Sequence, residues 1–267
     1  MPNPRIVMVQ PQPSGGFEWT QAEWGPVLRC RPLADIADHL FTIGNIELRD
    51  SRDEWEAVAR GMGIHFDRVL LLRQVHGAHV AFSKRGEYLS GPRPDADAAV
   101  TDDPTIAIGV RVADCAPILI GDRRQQVAGA AHAGWRGTVQ RAAIAAVRAM
   151  QNQFGSHPDD LVAAIGPCLG SCCGEVGPEV VETFREAGHD PDSLARWFTS
   201  GRGDRFQLDL PRANRDQLVA AGVPASQIYD SGLCTRSFPE VFHSYRAARE
   251  RAGRMVGIIR VRSEIVD

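Results

Sequence analysis

The chain has 267 residues, of which 43% are hydrophobic and 24% are charged, and its formal net charge is −3. This composition is typical of an ordinary globular protein with a sizeable core, built as one large domain or two small ones. The nearly balanced charge gives no electrostatic reason to expect a nucleic-acid partner. No apolar run in the sequence is long enough to cross a bilayer, so we expect no membrane partner either.

The N-terminus, the cysteines and the absence of linkers indicate the expected location and domain plan. The stretch MPNPRIVMVQPQPSGG at residues 1–16 lacks the apolar core flanked by basic residues that a signal peptide needs. The six cysteines are scattered, which favours reduced thiols and a cytoplasmic location over a disulfide framework. No internal repeat or low-complexity linker indicates a domain boundary after about residue 28. We therefore expect a peripheral N-terminal arm over residues 1–28 and a single domain over residues 29–267.

Helical and strand periodicities alternate along the chain, which indicates the α/β class. In chain order, the sequence predicts a helix over 53–61, a strand over 68–75, a strand over 105–112 that continues through 114–115, a strand over 126–132, a helix over 138–154, a strand over 161–165, a helix that begins at Pro178, a helix that is capped by Asp209 and closes on Gly222, and a strand over 255–261. Pro117 favours an edge or a bulge for its strand.

Three predicted strand ends carry metal-binding residue types: RQVHG at 73–77, ADCAP at 113–117, and His132. Two imidazoles and one thiol, from His76, His132 and Cys115, form a suitable ligand set for zinc and leave a fourth position open for water or substrate. The spacings of 39 and 17 residues match no short zinc pattern. The alternatives are that Cys115 is a buried small apolar residue and that each histidine is a hydrogen-bonded turn residue.

The stretch AHAGWRG at 131–137 immediately precedes a predicted helix. Free backbone N–H groups at the helix start, with Arg136 beside them, make this loop a candidate cradle for phosphate or carboxylate. The alternative is that Arg136 is a solvated surface charge. For Trp135 we favour packing in the core.

Several other polar residues are expected to have no chemical role. Adjacent cysteines rarely bind one tetrahedral metal without strain, so we expect Cys168, Cys172 and Cys173 to line a pocket. Asp95 and Asp97 could bind a cation, but a solvated turn is favoured. Four histidines are expected at the surface or in loops: His39, His65, His157 and His189.

Taken in this order, the motifs resemble a family once labelled multicopper polyphenol oxidoreductases or laccase-domain proteins. That family is now described as zinc-dependent purine nucleoside phosphorylases, and it includes a bacterial peptidoglycan editing factor. The matching segments are RQVHG (73–77), DADAAVT (95–101), ADCAP (113–117), AHAGWRGT (131–138), AIGPC (164–168), CCGEVGPEV (172–180), DLPRANRDQL (209–218), CTRSF (234–238) and FHSYR (242–246). HAGWRG together with ADC is a highly specific combination.

The resemblance implies that His76, Cys115 and His132 are zinc ligands. It also implies phosphorolysis of adenosine, inosine or related nucleosides, often with adenosine deamination, so that the partners are a small nucleoside and phosphate. The implied fold is a layered α-β-β-α domain like that of the cytotoxic-necrotizing-factor-like cysteine hydrolases. We expect a monomer or a weak homo-oligomer.

Phosphorolysis needs a place for an anionic nucleophile beside the ribose, because positioning and charge stabilisation do most of the work. Arg73 and Arg136 are our candidates for holding phosphate, and Gln74 is a further candidate for substrate binding. For deamination, Asp114 is the carboxylate nearest in sequence and the candidate acid–base group. Strand alternation points Asp114 away from Cys115 unless Pro117 marks a bulge.

Two departures from the family pattern bear on the substrate. HLFTIGNIEL at 39–48 replaces a longer N-terminal segment and lacks its arginine, and Gly174 stands where an aromatic residue usually follows the cysteine pair. Two rival hypotheses stand beside the nucleoside phosphorylase, and the shortened N-terminal segment motivates the second. In one, the protein is a Cys–His hydrolase or deamidase acting on a cell-wall precursor, with Cys115 as nucleophile and His132 as base. In the other, it is a degenerate member that binds a nucleotide without catalysis.

The older family label implies copper and phenol oxidation. Blue-copper and trinuclear copper sites need more histidines than lie near these motifs, so zinc is the expected cofactor and copper is disfavoured.

Overall fold

A computed structural model describes residues 10–49, 51–87 and 91–262 of the chain. The strands are β1 (Phe17–Ala22), β2 (Gly25–Cys30), β3 (Ala37–Phe41), β4 (Val69–Leu71), β5 (Val80–Ser83), β6 (Ala98–Thr101), β7 (Ala107–Val112), β8 (Ala116–Asp122), β9 (Ala128–Ala133), β10 (Leu161–Ile165), β11 (Glu175–Val176), β12 (Phe198–Ser200), β13 (Phe206–Leu208), β14 (Ile228–Asp230) and β15 (Met255–Val261). The α-helices are α1 (Arg31–Ala34), α2 (Arg52–Gly61), α3 (Trp135–Val139), α4 (Ala142–Phe154), α5 (Pro178–Glu186), α6 (Pro191–Trp197), α7 (Leu210–Ala220) and α8 (Tyr245–Ala248).

Most of the strands belong to two six-stranded sheets. The first sheet has the order β1-β2-β3-β15-β7-β4, and the second has the order β14-β10-β8-β9-β6-β5. A three-stranded ribbon, β11-β13-β12, lies apart from both. Pairing is mainly antiparallel, but β4 runs parallel to β7, β5 to β6, and β14 to β10. The expected α/β class is therefore correct, with a mixed rather than a parallel arrangement.

The two large sheets pack face to face and are covered on their outer sides by helices. Apolar side chains of both sheets fill the space between them, including Ile108 of β7 and Leu119 of β8. On the outer side of the first sheet, Trp55 and Val58 of α2 pack against the strands. On the outer side of the second sheet, α4 through α7 supply a separate core. This is the α-β-β-α layering that the family resemblance implied.

Local sequence signals predicted several elements well. Ser51 caps α2 by accepting a hydrogen bond from the backbone N–H of Glu54, and Asp209 caps α7 in the same way with Arg212. These caps match the known preference for serine and aspartate at helix starts. The strands at 161–165 and 255–261 and the helix that begins at Pro178 lie where they were predicted.

Other predicted elements need correction. The strand over 105–112 does not continue through Cys115, because β7 ends at Val112 in the first sheet and β8 begins at Ala116 in the second. Pro117 lies in a central strand, near the start of β8, where it pairs with His132. The predicted helix over 138–154 begins earlier and is broken at Arg141, whose φ of 62° ends α3 before α4 begins.

The N-terminal segment joins the first sheet rather than lying apart from it. Strands β1 and β2 form an antiparallel hairpin at the edge of this sheet, and Phe17, Val27 and Leu28 are buried. Residues 17–28 of the expected peripheral arm therefore form an edge hairpin of the first sheet, and residues 1–9 lie outside the described residues. None of the described helices is both long and apolar enough to cross a membrane.

Candidate metal centre

His132 lies at the end of β9, next to the gap between the two large sheets. Strand alternation puts Ala128, Ala130 and His132 on the same face, and the two alanines pack in the core between the sheets. The small side chains of β9 let the sheets approach each other closely. Only 3% of His132 is exposed, so its ring enters the site from the protein interior.

Cys115 lies in the three-residue connection that carries the chain from the first sheet to the second. The preceding residue, Asp114, has a φ of 85°, a left-handed conformation that is rare for a residue other than glycine. Such strain often accompanies a functional site. The turn delivers the half-buried Cys115 to the same end of the sheets as His132.

His76 reaches the site from the loop after β4, and it too has a left-handed backbone, with a φ of 61°. One ligand atom from each of His76, Cys115 and His132 lies within 4.8 Å of the others. The centroids of the two imidazole rings are 4.9 Å apart, with an interplanar angle of 77°. The structure thus brings together the three residues that were predicted as metal ligands.

Asp97 holds both histidines, and this role was not predicted. Its carboxylate accepts hydrogen bonds from the backbone N–H groups of Val75 at 3.2 Å, His76 at 2.9 Å and Gly77 at 2.6 Å. It also lies 2.8 Å from Nδ1 of His132. The expectation of a solvated turn is wrong for Asp97, which is fully buried. No single-sequence signal distinguishes it from the exposed Asp95, because the motif DADAAVT contains both.

Opposing charges within the cluster shift its pKa values. Burial would raise the pKa of Cys115, but the charge and hydrogen bonds of His132 and His76 lower it to about 6. Burial would lower the pKa of His132, but the Cys115 thiolate and Asp97 raise it to about 9. Burial also acts to raise the pKa of Asp97, and its hydrogen bonds to His132 and the backbone outweigh this effect and lower it. Without a metal, the cluster is therefore a thiolate–imidazolium pair at neutral pH.

The donor set fits a zinc ion. Zn²⁺ takes thiolate and neutral imidazole ligands, and a histidine that binds zinc commonly donates its other ring N–H to a carboxylate, as His132 can to Asp97. Gly134 lets the backbone approach the thiol closely, because a Cβ at this position would lie 2.6 Å from Sγ of Cys115. Three protein ligands would leave one position open toward solvent.

Two adjoining cavities open at this cluster and share His76, Ala113, Cys115 and Tyr245. The larger has a volume of about 670 Å³ and the smaller about 290 Å³. Guanidinium groups dominate the charge of both linings, and most of them were not predicted: Arg49, Arg111 and Arg254 in the larger cavity, and Arg246 and Arg249 in the smaller. The motif FHSYR at 242–246 could have located Arg246, which it contains, but not Arg249.

The three predicted substrate-binding residues all line these cavities but differ in how they are engaged. The exposed Arg73 forms a bidentate ion pair with Asp95. The amide of Gln74 pairs with the backbone of Arg111, donating to its carbonyl at 2.7 Å and accepting from its N–H at 2.8 Å. A substrate would have to compete with these bonds. Arg136 is exposed, and its guanidinium carbon lies 4.2 Å from the centroid of the Trp135 ring.

Trp135 has two roles, since it packs partly against the outer core of the second sheet and also lines the smaller cavity. The packing that we favoured for it is therefore correct but incomplete. Helix α3 beside it has only five residues. Because so short a helix contributes little dipole, anion binding here would depend on arginine side chains more than on the helix start.

Asp114 is buried and supports the cavity wall. Oδ1 accepts a hydrogen bond from the hydroxyl of Thr235 at 2.6 Å, and Oδ2 accepts one from the backbone N–H of Arg246 at 2.5 Å. These contacts tie the turn that carries Cys115 to the 235–246 segment. The acid–base role predicted for Asp114 would require one of these bonds to be exchanged for a bond to substrate.

The remaining histidines divide between the surface and the interior. His65 and His157 are exposed, as expected. His39 is instead buried in β3, where Nε2 accepts a hydrogen bond from the backbone N–H of Cys30, and burial lowers its pKa to about 4. His189 lies in a loop but is also buried, and its Nε2 donates to the carbonyl of Val139 at 2.8 Å. Both are structural residues of the core.

The sequence matches the family model described as multi-copper polyphenol oxidoreductase laccase over residues 49–262. The chain belongs to this family. The matched region contains all three residues of the candidate metal centre, together with Asp97 and every arginine named in the two cavities.

Named relatives of the chain are enzymes of purine nucleosides. A protein named purine nucleoside phosphorylase from Deinococcus radiodurans is 35% identical over 254 residues, which are 88% of this chain and 92% of that protein. A protein named adenosine deaminase RL5, from an unknown prokaryotic organism, is 39% identical over 211 residues, 76% of this chain and 79% of its own length. The crystal structure of YlmD from Geobacillus stearothermophilus superposes with a TM-score of 0.81 at 29% identity, covering 92% of this chain and 99% of that one.

Proposed function

We propose that the chain is a zinc-dependent purine nucleoside phosphorylase, with a single catalytic domain that holds Zn²⁺ between His76, Cys115 and His132. The observation that carries this proposal is the position of a two-histidine, one-thiol cluster at the mouth of an arginine-lined cavity. The name of the Deinococcus radiodurans relative, which is 35% identical over nearly its whole length, supports the substrate class.

Zinc is favoured over copper by the surroundings of the cluster. A blue-copper site has a weak axial ligand, most often methionine, in addition to two histidines and a cysteine. None of the residues that line the two cavities is a methionine. The side-chain amide of Gln74, an alternative axial ligand, is bonded to the backbone of Arg111. When bound, zinc would supply a Lewis acid that polarises an oxygen atom of a substrate.

In phosphorolysis, a phosphate oxygen forms a bond to C1′ of the ribose while the bond from C1′ to the purine nitrogen breaks. The bonding electron pair leaves with the purine, which then takes up a proton. The chain's contribution is to hold the dianionic phosphate against the ribose, and Arg136 and Arg249 are the candidates because both line the smaller cavity. Arg136 is stacked on Trp135 and Arg249 lies over the ring of Tyr245, so each guanidinium is partly oriented before phosphate binds.

Adenosine deamination is a secondary proposal. The 39% identical relative named adenosine deaminase RL5 supports it. Asp114 remains the candidate acid–base group, since it lines the smaller cavity beside Cys115. To move a proton, its carboxylate would give up the hydrogen bond from Thr235 or from the backbone of Arg246.

The test is to incubate the purified protein with inosine and phosphate and to measure hypoxanthine and ribose 1-phosphate by chromatography. We expect both products in equal amounts and none without phosphate. Losing the zinc site would cost several kcal/mol of transition-state stabilisation, so His132→Ala should lower the rate by about 1,000-fold or more. His65→Ala, which changes an exposed histidine outside the site, is the matched control. Absence of product from the native, zinc-loaded protein would favour the degenerate, nucleotide-binding alternative.

A second candidate function is a Cys–His hydrolase, and one observation favours it. Cys115, His132 and Asp97 form the nucleophile–base–carboxylate series of cysteine hydrolases, with Asp97 only 2.8 Å from Nδ1 of His132. His76 is not needed in that scheme. Zinc content therefore separates the two candidates: stoichiometric zinc that is lost in His76→Ala, together with activity that is lost on chelation and restored by zinc, would eliminate the hydrolase.

We also propose that the layered domain has the fold of the cytotoxic-necrotizing-factor-like cysteine hydrolases. The α-β-β-α order of its layers and the Cys115–His132–Asp97 series support this assignment. A cytoplasmic location and a monomeric or weakly associating state remain predictions, which cell fractionation and light scattering of the purified protein can test.

A further inference from the structure

Three cysteines meet on the loops next to the smaller cavity, in a group that we call the thiol cluster. It consists of Cys172 and Cys173 from one loop and Cys234 from another, and their Sγ atoms all lie within 4.8 Å of one another. Cys168, which the sequence grouped with the adjacent pair, is buried outside this cluster. Cys234, which is distant in sequence, takes its place.

Backbone hydrogen bonds hold the two loops in register. The N–H of Cys168 donates to the carbonyl of Leu233 at 3.2 Å, and the N–H of Thr235 donates to the carbonyl of Cys168 at 3.0 Å. Within the first loop, the N–H of Cys173 donates to the carbonyl of Gly170 at 3.0 Å. The convergence of the sulfur atoms is therefore preorganised, so a ligand that bridges them would not have to order the loops.

Each of the three sulfur atoms lies within hydrogen-bond distance of a polar group on the same loops. The backbone N–H of Gly170 lies 3.4 Å from Sγ of Cys234. The hydroxyl oxygen of Ser237 lies 3.3 Å from Sγ of Cys172 and 3.5 Å from Sγ of Cys173. The single hydroxyl hydrogen of Ser237 can be donated to only one of these two sulfur atoms at a time. Binding of a metal ion would displace the thiol protons, as it does at other cysteine sites. Cys172 is exposed and Cys234 is buried, so an ion would enter past Cys172 and be held on its inner side by Cys234.

We propose that Cys172, Cys173 and Cys234 form a second metal site, distinct from the His76–Cys115–His132 centre, that binds a thiophilic ion and is best matched to Cu(I). Soft thiolate ligands select Cu(I), and a set of three sulfur atoms satisfies its low coordination number. Three metal–sulfur bonds of about 2.3 Å in one plane would place the sulfur atoms roughly 4.0 Å apart, which is compatible with sulfur atoms that all lie within 4.8 Å of one another. The strain expected for adjacent cysteines on one ion is small, because the turn at 171–173 already brings both sulfurs to one side.

The position of the thiol cluster gives it a consequence for the neighbouring cavity. Leu169 and Gly174 bracket the first loop, and both line the smaller cavity. The carbonyl of Gly174 also accepts a hydrogen bond from Leu208 of β13 at 2.9 Å. An ion on the thiol cluster would therefore fix the wall of that cavity from behind.

The test uses the full chain, fully reduced and free of oxygen, titrated with Cu(I) in competition with a chromogenic Cu(I) chelator. Cys115→Ser removes the thiol of the first centre, and this variant should still bind one tight equivalent. Adding Cys234→Ser or Cys172→Ser to it should abolish tight binding, whereas adding Cys30→Ala, which changes a buried cysteine outside both clusters, should not. Because Cys172 is exposed, its replacement avoids the folding defect that Cys234→Ser risks, and circular dichroism checks both variants.

X-ray absorption of the Cys115→Ser protein loaded with one equivalent of Cu(I) gives an independent readout. We expect sulfur neighbours and no imidazole, and hydrogen exchange in residues 169–174 should slow on loading. Imidazole in the coordination shell, or tight binding that survives both Cys172→Ser and Cys234→Ser, would overturn the proposal. These readouts do not depend on phosphorolysis, so the second site can stand or fall without the proposed function.

Discussion

The candidate metal centre and the thiol cluster bring similar donor atoms together by different means. In the metal centre, His76, Cys115 and His132 lie at strand ends and turns, and one buried carboxylate, Asp97, orients both histidines. In the thiol cluster, the sulfur atoms lie on two loops that are held by backbone hydrogen bonds and by the hydroxyl of Ser237. The comparison teaches that the first set depends on charge, whereas the second depends on loop geometry.

The largest expected difference between the two clusters is in thiol reactivity. In metal-free protein at pH 7, iodoacetamide should alkylate Cys115 about 100-fold faster than Cys172, although Cys172 is the more exposed. His132 and His76 lower the pKa of Cys115 to about 6. Burial raises the pKa of Cys172 to about 11, because the opposing effect of the hydrogen bond with Ser237 is smaller. Mass spectrometry of the alkylated peptides, followed over time, measures both rates.

The two alkylation rates should also depend on pH in different ways. Because the thiolate is the reactive form, the rate at Cys115 should rise with pH through about 6 and then level off, whereas the rate at Cys172 should keep rising toward about 11. His132→Ala removes the main partner of the Cys115 thiolate, so the midpoint should move up toward 9.0, the ordinary value. Faster alkylation of Cys172 at pH 7 would show that exposure, and not charge, controls these thiols.

Asp97→Asn should weaken the metal centre and leave the thiol cluster unchanged. Both carboxylate oxygens of Asp97 accept hydrogen bonds, whereas the asparagine side chain has only one oxygen acceptor. Its NH₂ group would be placed against backbone N–H groups of Val75, His76 or Gly77, which are also donors. We expect zinc affinity, measured by competition with a chromogenic chelator, to fall about 10- to 100-fold. Asp95→Asn alters an exposed carboxylate two positions away and is the matched control. Equal losses in the two variants would contradict the positioning role of Asp97.

Gly134→Ala tests the close approach of the Gly134 backbone to the thiol of Cys115. The new methyl group would lie 2.6 Å from Sγ of Cys115, so the thiol or the backbone must shift. Overpacking of this kind costs about 1–3 kcal/mol, and we expect a loss of about tenfold in zinc affinity or in phosphorolysis. Gly15→Ala places a methyl group in open space and should have no effect. Native zinc affinity and activity in Gly134→Ala would rule out the tight approach of Gly134 to Cys115.

Ser237→Ala should have the smallest effect, and it should be confined to the thiol cluster. The variant removes one hydroxyl that contacts Cys172 and Cys173, and a hydrogen bond of this kind contributes about 1 kcal/mol. We expect the Cu(I) affinity of Cys115→Ser protein to fall about fivefold. Ser171→Ala, at an exposed serine of the same loop, should leave the affinity unchanged. A loss larger than that of Cys172→Ser would mean that the hydroxyl, rather than the sulfur, dominates binding.

Much of the fold could be predicted because its signals are local. Helix α7 follows from Asp209 as a cap and from an apolar stripe, and the strands at 161–165 and 255–261 follow from short apolar runs. The break between α3 and α4 could not be predicted, because Arg141 is an ordinary helix former whose left-handed backbone is imposed by its surroundings. The same limit applies to Pro117, which lies in a central strand because packing overrides its preference for an edge.

The sequence alone was enough to assign the chain to the α/β class and to this family, and it predicted His76, Cys115 and His132 as metal ligands. Each of the three follows an apolar run, and such a pattern is local, so it can be recognised from neighbouring residues alone. Only the tertiary structure decided that Asp97 is buried between two histidines while Asp95 is exposed, and that Cys234 joins a cysteine pair 61 residues earlier in the chain. Periodicity records which face of an element is apolar, but the partner that covers this face is set by how the two sheets and their loops pack together.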